Sequence, residues 1–137
     1  MILLYLPKST LRNGSYFTTL LRSGFQTISS LMILSKSEIV QQELEKMQEL
    51  YLEINRMGLI LSVDEKREQL LKMMELINVQ QTMYMRVTLS DDPDARTMVE
   101  QVRNAATMLG MNPNDVNHTF YDTLRDNVQE MIDKLPT

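Results

Sequence analysis

A single histidine, His118, and eighteen carboxylates are the side chains with which this 137-residue sequence could do nucleophilic, acid–base or metal chemistry. Catalysis of the Ser-His-Asp kind needs the histidine beside a hydroxyl it can deprotonate and an acid that orients it. His118 stands between Asn117 and Thr119, and no Gly-x-Ser-x-Gly elbow occurs. An exposed histidine near the start of a helix is the expected reading. A carboxylate-bridged di-iron bundle needs two Glu-x-x-His pairs, which one histidine cannot supply. The densest acidic cluster is Asp91, Asp92 and Asp94. Its oxygens suit a hard cation, but the glycine and terminal glutamate of an EF-hand loop are missing, and helix capping explains the same acids. No glycine-rich phosphate loop is present. The sequence thus predicts no catalytic residue, no cofactor and no metal ligand, and it leaves Asp91 and Asp94 as candidate interaction residues.

Charge narrows the partners. Residues 1–36 carry Lys8, Arg12, Arg22 and Lys36 and no acid, a net +4 that leaves −8 on residues 37–137. Nucleic-acid backbone is bound through a Lys/Arg footprint, which an acidic body does not offer, so no nucleic-acid partner is expected. Lys66-Arg67, Arg86, Arg96 and Arg103 are interleaved with acids and read as solvated helix faces. With no cysteine in the chain, disulfides and thiolate chemistry are excluded. The triplets Asn13-Gly14-Ser15 and Asn117-His118-Thr119 would matter only in a secretory setting, for which there is no other sign. No run of about 18 apolar residues occurs, so no membrane span is expected. The twelve methionines imply an adaptable core first and a contact surface second.

Four helices must position whatever the chain presents. Ser35 and Glu38 have capping-box spacing, each side chain meeting a backbone N–H that the first turn leaves unpaired. Val40, Leu44, Met47, Tyr51 and Ile54 then recur on one stripe, with Leu50 and Met57 widening it and Gly58 as a left-handed cap. Ser62 and Glu65 repeat the box. The second stripe reads Leu70, Met74 (with Met73 beside it), Ile77, Tyr84 and Val87, interrupted at Gln81, and the helix is expected to run to about Leu89. Of the polar positions Gln80, Gln81 and Gln101, facing water is the expected role and joining helices the alternative. Asp92 as N-cap and Pro93 at the first helical position open a third helix, with Asp91 and Asp94 complementing its dipole. Met98, Val102, Ala105 and Leu109 line it and Gly110 ends it. Asn112 and Pro113 reuse the signal for a fourth, lined by Val116, Phe120, Leu124, Val128, Met131 and Leu135. The link between the first two helices is too short for anything but a turn back. The expected fold class is all-α: a long antiparallel helical hairpin followed by two shorter helices, in one domain over 35–137.

Residues 1–34 form a basic leader outside that domain. Three explanations are open: a start assigned too far upstream, since Met32-Ile33-Leu34-Ser35 stands just before the first helix signal; an arm that reaches a partner; or a transit peptide, since such segments are rich in Arg and Ser and poor in acids.

From about Met32 the chain resembles an uncharacterised family of small helical proteins of cyanobacteria and their phages. The residues that carry the resemblance are Ser37-Glu38-Ile39-Val40-Gln41-Gln42-Glu43-Leu44, then Tyr84-Met85-Arg86-Val87-Thr88-Leu89-Ser90-Asp91-Asp92-Pro93-Asp94-Ala95, then Leu109-Gly110 and Asn112-Pro113. The resemblance implies a cytoplasmic setting and favours the upstream-start explanation. It carries over no functional residue.

Together these features predict a non-enzymatic helical adaptor or regulator that binds a protein partner, with a homodimer possible. The alternative is a structural component of a phage particle or other assembly. A third reading is a carboxylate- or metal-dependent enzyme.

Overall fold

The computed structural model describes residues 37–108, 112, 114 and 118–136, with the side chains of 105, 106, 108, 118 and 119 excepted. Its described elements are four helices, α1 (Glu38–Met57), α2 (Val63–Thr88), α3 (Pro93–Met108) and α4 (His118–Asp133). The fold is all-α, and no strand occurs among the described residues.

Helix α1 starts on Ser37, whose extended backbone lets its hydroxyl accept the Val40 N–H at 3.4 Å. This corrects the expected Ser35–Glu38 box. Ser35 lies outside the described residues, the third helical position is Val40 with no acceptor to return, and Glu38 is the first helical residue. There its charge complements the positive end of the helix. All five stripe residues from Val40 to Ile54 are buried, together with Leu50. Gly58 ends the helix with φ 74° and ψ −153°, and its N–H donates to the Asn55 carbonyl. The positive φ was expected, but this ψ lies in an extended region that is essentially glycine's alone.

Helix α2 opens on the predicted capping box. Ser62 Oγ accepts from Glu65 N–H and Glu65 Oε1 accepts from Ser62 N–H, both at 3.2 Å. It runs 26 residues, about 39 Å at 1.5 Å per residue, and Leu89 is its C-cap. Its buried line is Leu70, Met73, Ile77, Gln80, Tyr84 and Val87, with Leu76 and Met83 beside it. Met73, not Met74, therefore holds the stripe, and Gln80, not Gln81, occupies the next position. The steps are three and four from Leu70 rather than four and three, and that order keeps the face toward three neighbours at once. Helix α2 packs against each of the other helices.

Side chains fix how α1 meets α2. Glu43 pairs with Arg86 at 2.8 Å, Tyr51 with Gln80 at 3.2 Å, Glu53 with Lys72 at 3.0 Å, and the Ile54 carbonyl with Gln69 at 3.2 Å. In these four pairs the partners fall along α2 as positions rise along α1, and Lys46 adds a fifth contact, to Glu75 at 3.2 Å. Gln69 is fully buried, and its amide donates to the Ile54 and Gly58 carbonyls while its oxygen accepts from Lys66. A glutamine on α2 thus caps the carbonyls that the last turn of α1 leaves unpaired.

Helix α4 begins at His118, later than Asn112-Pro113 predicted. Asn112 does cap, its Oδ1 accepting the Asn114 N–H at 3.0 Å, and Asn114 itself lies in 3₁₀ conformation. Asn112, Asn114, Asp115 and Asn117 are poor helix formers, and Phe120 is the first buried residue of α4 among those described. Tyr121, Leu124 and Val128 continue it, while Met131 and Leu135 are partly buried. Pro113, Val116, Leu109 and Gly110 lie outside the described residues, as do the side chains of Ala105 and His118. Polar side chains clasp α4 to α2: Arg125 donates to Asn78 at 2.8 Å and to Gln81, and Gln81 donates to Asp122 at 3.2 Å. Gln80 and Gln81 therefore join helices, against the expectation that they face water.

Candidate functional site

A concave feature among the described residues lies at the corner where the start of α1, the end of α2 and the start of α3 meet. Asp92 caps α3: its Oδ1 accepts the Asp94 N–H at 2.9 Å and its carbonyl accepts the Arg96 N–H at 3.2 Å. Ser90 Oγ in turn accepts the Asp92 N–H at 3.2 Å. Asp92 and Pro93 thus take the cap and first helical positions expected of them, and only four residues separate the end of α2 from the start of α3.

An open cleft of about 100 Å³ results. Helix α1 contributes Ser37 and Val40 to it, the end of α2 contributes Arg86, Val87 and Ser90, and the start of α3 contributes Asp92, Asp94, Ala95 and Met98. The floor is apolar and the rim carries both charges. Arg86 is held by Glu43, whose Oε1 accepts from its Nε at 3.1 Å and its Nη2 at 2.8 Å. The Glu43 side chain is only 15% exposed, and its Oε2 is buried without a hydrogen-bond partner.

Three large apolar side chains at this end of the helices are exposed. Leu89 is 82% exposed, Ile39 53% and Met85 46%. Each is the chain neighbour of a cleft residue: Leu89 of Ser90, Ile39 of Val40, Met85 of Arg86. A second exposed apolar group, Leu59, Ile60 and Val63, sits at the α1–α2 turn, with no cleft residue near it in sequence.

The corner gathers Asp92 and Asp94 of the predicted residues, with the exposed Asp91 beside them. Ser62 and Glu65 lie at the opposite end of α2, and Asn112 lies beyond α3. Sequence reasoning missed Ser37, Glu43 and the Arg86 wall. Ser37 carried a usable signal, since it too is a serine three residues before a stripe position. The Glu43–Arg86 pair spans 43 residues and had no local signal.

Groups with displaced proton affinity lie outside the cleft. Burial raises Tyr51 and Tyr121 far above the usual phenol range. The Lys72 hydrogen bond lowers the Glu53 carboxyl, and Glu53 raises Lys72 in return. Burial lowers Lys66. Among the described residues, no three His, Cys, Asp or Glu side chains come together to hold a metal, and no helix is long and apolar enough to cross a membrane.

No curated protein and no solved structure matches the chain. A family model does, over residues 32–134. It covers the stretch from which the resemblance was expected to begin, including the Tyr84–Ala95 segment that builds the corner. The chain belongs to the family described as Domain of unknown function (DUF1825).

Proposed function

We propose that this protein is a non-enzymatic interaction module, an adaptor or regulator, and that it engages a protein partner through the corner of α1, α2 and α3. One observation carries the reading: Leu89, Ile39 and Met85 are exposed beside a cleft with an apolar floor. Exposed apolar side chains scattered singly need no explanation, whereas a group around a concavity marks a contact surface. Methionine suits such a surface because it adapts its shape at little cost. The falling order of α1–α2 partners supports an antiparallel hairpin as the scaffold. The acidic body supports a partner other than nucleic acid. The cyanobacterial or phage source, the cytoplasmic location and the separate leader at 1–34 remain part of this reading.

The experiment is affinity capture from native lysate with the full chain, run beside Leu89→Glu. The reading expects a stoichiometric partner on the wild type that the variant loses while its unfolding midpoint is unchanged. A partner retained by both would contradict it. Ile60, completely exposed at the α1–α2 turn, favours the second reading, a component of a larger assembly or homodimer that meets its neighbour at that turn.

A further inference from the structure

The core between α1, α2 and α4 contains a cluster of polar side chains. Tyr51, Gln80, Tyr84 and Tyr121 are all buried, Gln80 and Tyr121 completely. Gln80 Nε2 donates to the Tyr51 hydroxyl at 3.2 Å. The Tyr84 and Tyr121 rings are 5.7 Å apart and tilted by 47°. The Tyr51 and Tyr84 hydroxyls are near enough to Tyr121 to raise its proton affinity beyond what burial alone does. Two atoms have no hydrogen-bond partner: Gln80 Oε1, an acceptor, and the Tyr121 hydroxyl, which both donates and accepts.

A buried polar group without a partner is destabilising, because it gives up its hydrogen bonds to water and gains none in return. Native cores avoid that cost, in most cases with protein partners and otherwise with ordered water. We propose that this core holds an internal water molecule shared by Gln80 and Tyr121. The donor and acceptor count closes. Water accepts the Tyr121 O–H and donates to Gln80 Oε1. The Tyr51 hydroxyl, which accepts from Gln80, keeps its own proton to give as a third bond. About three hydrogen bonds is the usual coordination of a buried water. The site takes a small neutral guest that both donates and accepts, because the polar side chains of this cluster, Tyr51, Gln80, Tyr84 and Tyr121, are uncharged. It also explains why glutamine stands at a stripe position where every α2 neighbour on the same line is apolar or aromatic. The amide is the anchor that fixes the water.

The test uses the full chain. Magnetization transfer from water to the Tyr121 hydroxyl and the Gln80 side-chain amide should appear by NMR, with that hydroxyl proton exchanging slowly. Tyr121→Phe should lower the thermal midpoint by about 2–5 °C, the usual shift for one lost hydrogen bond in a domain of this size. The double variant Tyr121→Phe/Gln80→Met should fall no further than Gln80→Met alone, since both act on one water. A midpoint that stays or rises in Tyr121→Phe, additive losses in the double variant, or a hydroxyl bonded directly to Gln80 without water contact would each overturn the proposal.

Discussion

The two ends of the α1–α2 pair satisfy their polar groups to different degrees. At the turn, polar groups are matched: Ser62 and Glu65 cap each other, and Gln69 satisfies the Ile54 and Gly58 carbonyls while accepting from Lys66. At the corner, matching is looser. The Ser37 cap is 3.4 Å long, Glu43 leaves one buried oxygen unpaired, and exposed apolar residues adjoin the residues of an open cleft in sequence. A closed network holds the fold, and an open one is where a partner can add the missing contacts. Substitutions at the turn should therefore cost stability, and substitutions at the corner should cost binding.

The largest effect is expected at Gln69. Gln69→Leu keeps the volume but leaves two carbonyls and a lysine without their partner, and should cost about 2–4 kcal/mol by urea unfolding. A loss below that of an ordinary surface change would break the contrast between the two ends. Gly58→Ala comes next, at about 1–3 kcal/mol from backbone strain alone, because a Cβ there would meet nothing within 4 Å. Asn at the same site should recover little, since ψ −153° is not the left-handed helical region that asparagine tolerates.

The corner contains one residue that belongs with the turn. Asp92→Ala should cost about 0.5–2 kcal/mol, the usual penalty for a lost N-cap, and binding should weaken only as far as folding does. Asp91→Asn leaves that cap in place and should barely move the midpoint. If it nevertheless abolished binding, the acids themselves would be the docking patch and the apolar ring would not.

What could be read from the sequence follows from how local each cause is. Ser62, Glu65, Asp92 and Gly58 act within one or two turns, so their types and spacing declared their roles. Ser35 misled for an equally local reason: another serine stands two residues later, and Ser37 is the cap. Asn112 did cap, but α4 begins six residues beyond it. Gln69 and Gln80 were illegible because a polar residue on a stripe looks like an interruption until its partner, 15 or 29 residues away, is known. The cleft was half legible. Its Asp92 and Asp94 rim comes from a local corner, while Ser37, Val40 and the Arg86–Glu43 wall come from residues more than 40 positions apart in sequence that packing brings together.

The most direct test places one charge at each end and measures partner binding beside the unfolding midpoint. Leu89→Glu puts a carboxylate in the corner ring, and Ile60→Glu puts the same group on the turn. Both sites are exposed, so both midpoints should stay within about 0.5 kcal/mol of the wild type. Leu89→Glu should lose the partner and Ile60→Glu should keep it. Retention by Leu89→Glu with loss by Ile60→Glu would contradict the account and move the contact surface to the turn.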